Sequence, residues 1–192
     1  MPARWIAIAL ALLASPHAAF AYRPFDSTDA AVADPREIEI ELGPVAYTDT
    51  RHGSIAEAPV VTINAGLGDS WEAVLDAARV VTHSPHEHDI ETVETALQLK
   101  HVLRDGVLQE QAGWSVAAEF GVLLPTVHAD DDYGASLALI GSREIGRAMI
   151  HVNAAVAENR DGNTELFGGL IVEGTTRSPV RPVAELTVED ER

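Results

Sequence analysis

The chain has 192 residues, of which 46 % are hydrophobic and 22 % charged, a composition typical of one ordinary folded domain. Thirty Asp and Glu stand against thirteen Lys and Arg, giving a net charge of −17. This charge argues against a nucleic-acid partner, because polyanions are bound through clusters of basic residues. The absence of cysteine excludes disulfides, zinc–thiolate sites and thiol nucleophiles.

The first 21 residues have the three parts of a secretory signal peptide. Arg4 supplies a positive charge, Ile6–Ala14 is an apolar core, and Ala19–Ala21 is a small-x-small cleavage site. We therefore predict a signal peptide over residues 1–21, removed on export, and an N-terminal periplasmic segment over residues 22–36.

Hydrophobic and polar residues alternate with a period of two along residues 37–192, which predicts β-strands. The nine candidate strands are Glu37–Leu42, Pro59–Gly66, Trp71–Val81, Asp89–Leu103, Gly113–Leu124, Ala135–Ser142, Ala148–Ala157, Thr164–Glu173 and Pro182–Glu189. The fold expected is all-β: an antiparallel up-and-down meander of about nine to ten strands.

Compact connections alternate with more polar ones along this meander. The compact ones are Gly66–Asp69, Arg143–Arg147 and Thr175–Arg181, and the polar loops are Thr48–Ala58, Thr82–His88, Pro125–Tyr133 and Glu158–Asn163. We expect tight turns at one end of the sheet and polar loops at the other.

Three uncharged ten-residue windows favour a barrel in a membrane: Phe120–Ala129, Tyr133–Ser142 and Ala148–Ala157. Ten residues at about 3.3 Å each, tilted by about 45°, span roughly 23 Å, close to the apolar band of an outer-membrane barrel. A soluble periplasmic barrel or sandwich, acting as a binding or structural module, has the same alternation with its apolar face inward. The signal peptide and the lack of cysteine favour the membrane.

In a membrane barrel the polar face of each strand lines the lumen. The lumen-facing candidates are Glu94, Lys100, Glu119, His151, Asn153 and Glu165. Because several of them are carboxylates, we expect a lumen that prefers cations.

Three short motifs follow one another in the chain. Arg23–Val32 leads into the Glu-rich strand Glu37–Gly43, and Ala96–Lys100 and Gly121–Thr126 come after it. Their order resembles that of the bacterial outer-membrane proteins described as the putative MetA pathway of phenol degradation. The resemblance implies an outer-membrane β-barrel in a Gram-negative bacterium that transports small apolar or aromatic compounds. Outer-membrane lipid, the small-molecule solute and the barrel-assembly machinery would be its partners.

The end of the chain departs from that family. Members finish on a strand with a terminal aromatic residue, whereas Val188–Arg192 is charged. Single-chain bacterial barrels also have an even number of strands. We therefore expect an incomplete barrel that lacks its C-terminal strands.

Two other chemistries remain as alternatives. His83, His86 and His88 could hold zinc or copper, although a solvated acidic loop has the same composition. Ser115 and His151 fall on the same predicted face, as a membrane-bound hydrolase would require, but no Gly-x-Ser-x-Gly elbow is present. No enzyme activity and no cofactor are expected.

Overall fold

The computed structural model describes the backbone of six segments: residues 27–43, 46–50, 53–84, 87–126, 132–174 and 181–191. Within these, it describes the side chains of residues 27–43, 61–77, 95–126, 132–174 and 181–191. The predicted signal peptide, residues 1–21, lies outside the described residues.

Within these six segments, ten strands form a single antiparallel sheet. They are β1 Ile38–Leu42, β2 Ala46–Thr50, β3 Gly53–Gly68, β4 Trp71–Ser84, β5 Glu87–Arg104, β6 Ser115–Leu123, β7 Gly134–Ile145, β8 Ala148–Glu158, β9 Thr164–Glu173 and β10 Val183–Glu191. A 3-10 helix, Val107–Gln109, lies between β5 and β6. Each strand from β3 to β10 pairs with the next, and β1 pairs with β3, whereas β1 and β10 do not pair in the described residues. The predicted all-β up-and-down fold is confirmed, and the sheet is open, as in an incomplete barrel.

Two predicted loops are wrong. Residues of the predicted loop Thr48–Ala58 continue β2 and β3, which pair up to Thr50 and Gly53. The predicted loop Thr82–His88 is shortened in the same way, because β4 and β5 pair up to Ser84 and Glu87. Polar residues indicate that a segment is in contact with water, but they do not determine its backbone conformation. Their presence therefore could not exclude strands that continue beyond the apolar residues. β1 and β2 pair with the same edge of β3, so together they occupy one strand position.

The connections do not sort by length. At the end where β1 begins, here called the lower end, the two-residue turns Asp69–Ser70 and Gly146–Arg147 lie beside the ten-residue connection Asp105–Trp114. At the opposite, upper end, two residues separate β4 from β5, but ten separate β6 from β7. The expected confinement of tight turns to one end is therefore wrong, although the four segments predicted as polar loops do all fall at the upper end.

The two faces of the sheet differ in chemistry. Residues 27–36 lie across one face, here called the inner face, through contacts described below. Its buried polar side chains are Asn64, Glu72, Lys100, Ser115, Ser142, His151, Asn153 and Glu173. The outer face exposes the apolar side chains Ile38, Ile40, Leu42, Leu97, Phe120, Leu137, Leu139, Val152, Val156, Leu166, Leu170, Leu186 and Val188. The sheet thus buries its polar face and exposes its apolar one, the reverse of a water-soluble sandwich.

Within the described part of the chain, no helix has the length and apolar character needed to cross a membrane.

Candidate functional site on the inner face

Residues Ser27–Arg36, here called the strap, cross the inner face of the sheet. At its start, the Ser27 N–H donates to Glu185 Oε1 on β10 at 2.9 Å. Next, Thr28 is held by both ends of the Asn153 amide on β8: Thr28 N–H donates to Oδ1 at 3.1 Å, and Nδ2 donates to Thr28 O at 2.8 Å. The Asn153 side chain therefore pairs with the strap backbone as a neighbouring strand would.

The middle of the strap is held by side chains of three further elements. The Ala30 N–H donates to Ser142 Oγ on β7 at 3.0 Å, and its carbonyl accepts from Gln109 Nε2 at 3.1 Å. The Ala33 N–H donates to Glu72 Oε2 on β4 at 2.5 Å. The inner face thus recognises the strap mainly through its backbone, which every residue type presents.

Apolar packing adds to these hydrogen bonds at one point. Ala30 is fully buried against Ala117 of β6 and Ile140 of β7, with Leu108 of the 3-10 helix packed beside them. The small side chain of Ala117 leaves room for the strap at the centre of the sheet. This contact removes the strap's central residue from solvent completely.

The strap leaves the sheet at a turn fixed to β3. Arg36 has a left-handed backbone conformation with φ 71°, and its N–H donates to Gly66 O at 2.9 Å. The Gly66 N–H in turn donates to Glu37 O at 3.0 Å. A β-carbon at Gly66 would overlap the carbonyl oxygens of Ala33 and Asp34, so only glycine fits under this part of the strap.

A chain of polar groups runs across β7, β8 and β9 beneath the strap. Ser142 Oγ lies 2.8 Å from His151 Nδ1, and His151 Nε2 lies 3.5 Å from Glu173 Oε1. Arg181 Nη1 then contacts Glu173 Oε2 at 3.0 Å. Since Ser142 Oγ accepts from Ala30, its own hydroxyl hydrogen is free to donate to Nδ1. In the tautomer that accepts this hydrogen bond, the neutral ring carries its hydrogen on Nε2, facing Glu173.

Charged side chains alternate along a second row of the inner face. Lys100 of β5 lies directly opposite Glu72 of β4 and Glu119 of β6. Its Nζ is 4.0 Å from Glu72 Oε1 and donates to Thr28 Oγ1 at 3.2 Å. A buried lysine is costly unless it is paired, and this row supplies the partners.

At the upper end, one side chain bridges neighbouring strands. Arg160, in the turn between β8 and β9, donates through Nε to Leu124 O at 2.8 Å and through Nη2 to Thr95 O at 2.9 Å. It thereby reaches past β7 to the end of β6 and to the middle of β5. Glu165, nearby on the inner face, accepts from Asn159 Nδ2 at 2.8 Å.

Five of the six residues predicted to face a lumen have described side chains, and all five lie on the inner face. Lys100, His151 and Asn153 are buried on the inner face among the strap contacts, and Glu119 lies beside Lys100. Glu165 is on the same face but at its upper rim. The side chains of Glu94, His83, His86 and His88 lie outside the described residues. Among the side chains that are described, no group of three or more His, Asp or Glu could hold a metal ion.

Sequence reasoning missed Ser142, Glu72 and Glu173, and it gave residues 27–36 no role on the sheet. One signal for Ser142 was available: the two-residue turn at Gly146–Arg147 places it directly opposite His151. The hydrolase alternative paired His151 with Ser115 instead. Ser115 Oγ accepts from the Leu108 N–H at 2.9 Å, and the serine beside His151 is Ser142.

No family model, curated protein or solved structure matches this chain.

Proposed function

We propose that the chain is an outer-membrane β-barrel protein that passes small solutes along its inner face. The reversed burial of the sheet carries this proposal. Phe120 is 42 % exposed, Leu137 50 % and Leu139 55 %, whereas His151 and Ser142 are fully buried. Such a sheet matches a bilayer, where hydrocarbon takes the place of water around the apolar face.

The dimensions of the outer face support the same proposal. On β8 its residues run from Ala148 to Val156 without a charge before Glu158, which is exposed. About ten residues of tilted strand span roughly 23 Å, the height of a barrel's apolar band. Trp71 begins β4 at the lower end, and Tyr133 precedes β7 at the upper end, where aromatic anchors are expected.

The charge of the inner face favours cations over anions. Four carboxylates lie on this part of the inner face: Glu39 and Glu41 of β1, Glu72 of β4 and Glu119 of β6. They outnumber the positive charge of Lys100 on β5. Carboxylates lining a narrow path attract cations and repel anions at close range. The solute class, small apolar or aromatic compounds, comes from the resemblance of the sequence motifs alone, as does the assembly machinery as a partner.

Cell fractionation tests the membrane assignment. The protein is expected in the outer-membrane fraction, released by detergent, with a mobility on gels that shifts on heating. Release by osmotic shock would instead establish a soluble periplasmic module.

Ion selectivity tests the inner face as the path. In planar bilayers we expect a cation preference that falls with Glu119→Gln, because this removes a charge beside Lys100. Glu158→Gln is the matched control, since Glu158 is exposed on the outer face. Anion preference in the unaltered protein, or equal effects of the two variants, would contradict a path along the inner face.

A hydrolase is a second candidate, favoured by the Ser142–His151–Glu173 chain. A serine, a histidine and a carboxylate in series can activate a nucleophile. If these three side chains are catalytic, a fluorophosphonate labels Ser142. Ser142→Ala then abolishes the labelling, whereas Ser115→Ala does not. Under the channel proposal neither serine is labelled.

A further inference from the structure

We propose that the strap, residues 27–36, is a displaceable plug that closes the path along the inner face at rest. This inference rests on the channel proposal above and concerns its regulation. The strap runs from β10 past β8, β7 and β4 to β3, so it lies across any solute route from the lower end to the upper end.

The strap is bound as a ligand rather than as a strand. Between Ser27 and Ala33 the strap is held by side chains of the sheet, among them Glu185, Asn153, Ser142, Glu72 and Lys100. Regular backbone pairing with the sheet begins at Ile38, where β1 pairs with β3. The strap can therefore leave without breaking any ladder of the sheet.

A fixed pivot lies at the end of the strap. The reciprocal bonds of Arg36 and Glu37 with Gly66 hold the chain to β3, and the left-handed Arg36 turns it back onto the inner face. Displacement then requires rotation about this turn, the loss of the contacts from Ser27 to Ala33 and the exposure of Ala30. Such a segment, fixed to β3 by its last residue and held elsewhere by separate side-chain contacts, is able to open locally while the rest of the fold stays intact.

The strap covers the inner face at rest because removing it would leave buried polar groups without partners, which costs free energy. Without it, the polar atoms of Asn153 and Ser142 lose partners that only water or a solute can replace. A solute with hydrogen-bonding groups is therefore able to compete with the strap at the same side chains. Opening follows from that competition, because a ligand shifts an equilibrium toward the state it binds better.

The first test measures strap displacement without requiring a membrane. The chain has no cysteine, so Ala30→Cys introduces a single thiol at the buried centre of the strap. In detergent-solubilised full-length protein, we expect a bulky maleimide to react slowly with it. Adding Gly66→Ala, whose β-carbon overlaps the strap backbone, should raise the rate at least tenfold.

The matched control is Gly68→Ala, on the same strand, where an added β-carbon meets nothing within 4 Å. It should leave the rate of thiol labelling unchanged. Fast labelling in the parent background, or equal rates in the Gly66→Ala and Gly68→Ala backgrounds, would overturn a held strap.

The second test measures closure. A disulfide between Ala30→Cys and Ser142→Cys would tie the strap to β7, and the pair is chosen because Ala30 N and Ser142 Oγ lie 3.0 Å apart. Without the disulfide, local opening of the strap should give brief openings even when no solute is present. Oxidised protein in a planar bilayer should lack these openings, and reduction should raise their frequency at least tenfold. Equal conductance before and after reduction overturns the plug.

The two proposals fail in different ways. Release of the protein by osmotic shock removes the channel, whereas thiol labelling still decides whether the strap is held. If the protein needs detergent for extraction, shifts its mobility on heating and conducts equally with and without the disulfide, the channel proposal stands and the plug proposal is refuted.

Discussion

The outer and inner faces of the same strands are built on different principles. On β7, Leu137 and Leu139 are half exposed on the outer face, and their role requires only that they be apolar. On the inner face, Ser142 is fully buried and has two defined partner atoms, Ala30 N and His151 Nδ1. The outer face therefore needs a composition, whereas the inner face needs particular side chains. Substitutions on the two faces should differ accordingly.

The largest difference is expected from a charge placed on each face. Leu139→Arg puts a guanidinium into the apolar band and should lower the free energy of unfolding by about 2–4 kcal/mol in a bilayer. Ala138→Arg, one residue earlier, points to the inner face opposite Glu119 and should cost much less. Urea titration in lipid vesicles measures both. A larger loss for Ala138→Arg would identify the outer face as the watery one.

A loss of about 2 kcal/mol is expected for Asn153→Ala on the inner face. This substitution leaves the Thr28 N–H and carbonyl without their amide partners in a part-buried site. Asn163→Ala is the control, because Asn163 is exposed and its side chain donates to the exposed Glu191 Oε1 at 3.0 Å, away from the strap. Equal unfolding free energies for the two variants would refute the role of the strap contact in stability.

A smaller effect, about 1–2 kcal/mol, is expected at the upper end. Arg160→Ala removes two charge-assisted hydrogen bonds, to Leu124 O and Thr95 O. Arg160→Lys should recover only part of the loss, because an ammonium group does not reproduce the planar fork of a guanidinium. Denaturant titration of the two variants checks the order. Full recovery by lysine would mean that charge alone matters there.

The smallest effect is expected from a conservative exchange on the outer face. Leu137→Ile keeps an apolar side chain of the same volume in the band and should change the unfolding free energy by less than about 0.5 kcal/mol. The same titration measures it. A loss above about 1.5 kcal/mol would mean that Leu137 packs in a specific site.

Strand positions could be predicted from the sequence because alternation depends on neighbouring residues alone. Ala148–Ala157 was predicted and β8 is Ala148–Glu158. Pairing within a hairpin was also within reach, since Ser142 faces His151 across a two-residue turn. The position of the strap could not be predicted, because Ala30 contacts Ile140 across more than a hundred residues and no periodic pattern indicates this contact. Glu173 ends a strand that was predicted correctly, but its partner Arg181 belongs to an irregular segment before β10.

The two-residue turn at Gly146–Arg147 restricts how such a protein can change over generations. Gly146 adopts φ 67° in this turn, which sets the register of the β7–β8 pairing from the Ile145–Ala148 pair onward. One amino acid inserted into β8 between the turn and His151 would move His151 to the outer face and Val152 to the inner face. Two inserted together would restore the alternation. Viable length changes within these hairpins should therefore come in even steps.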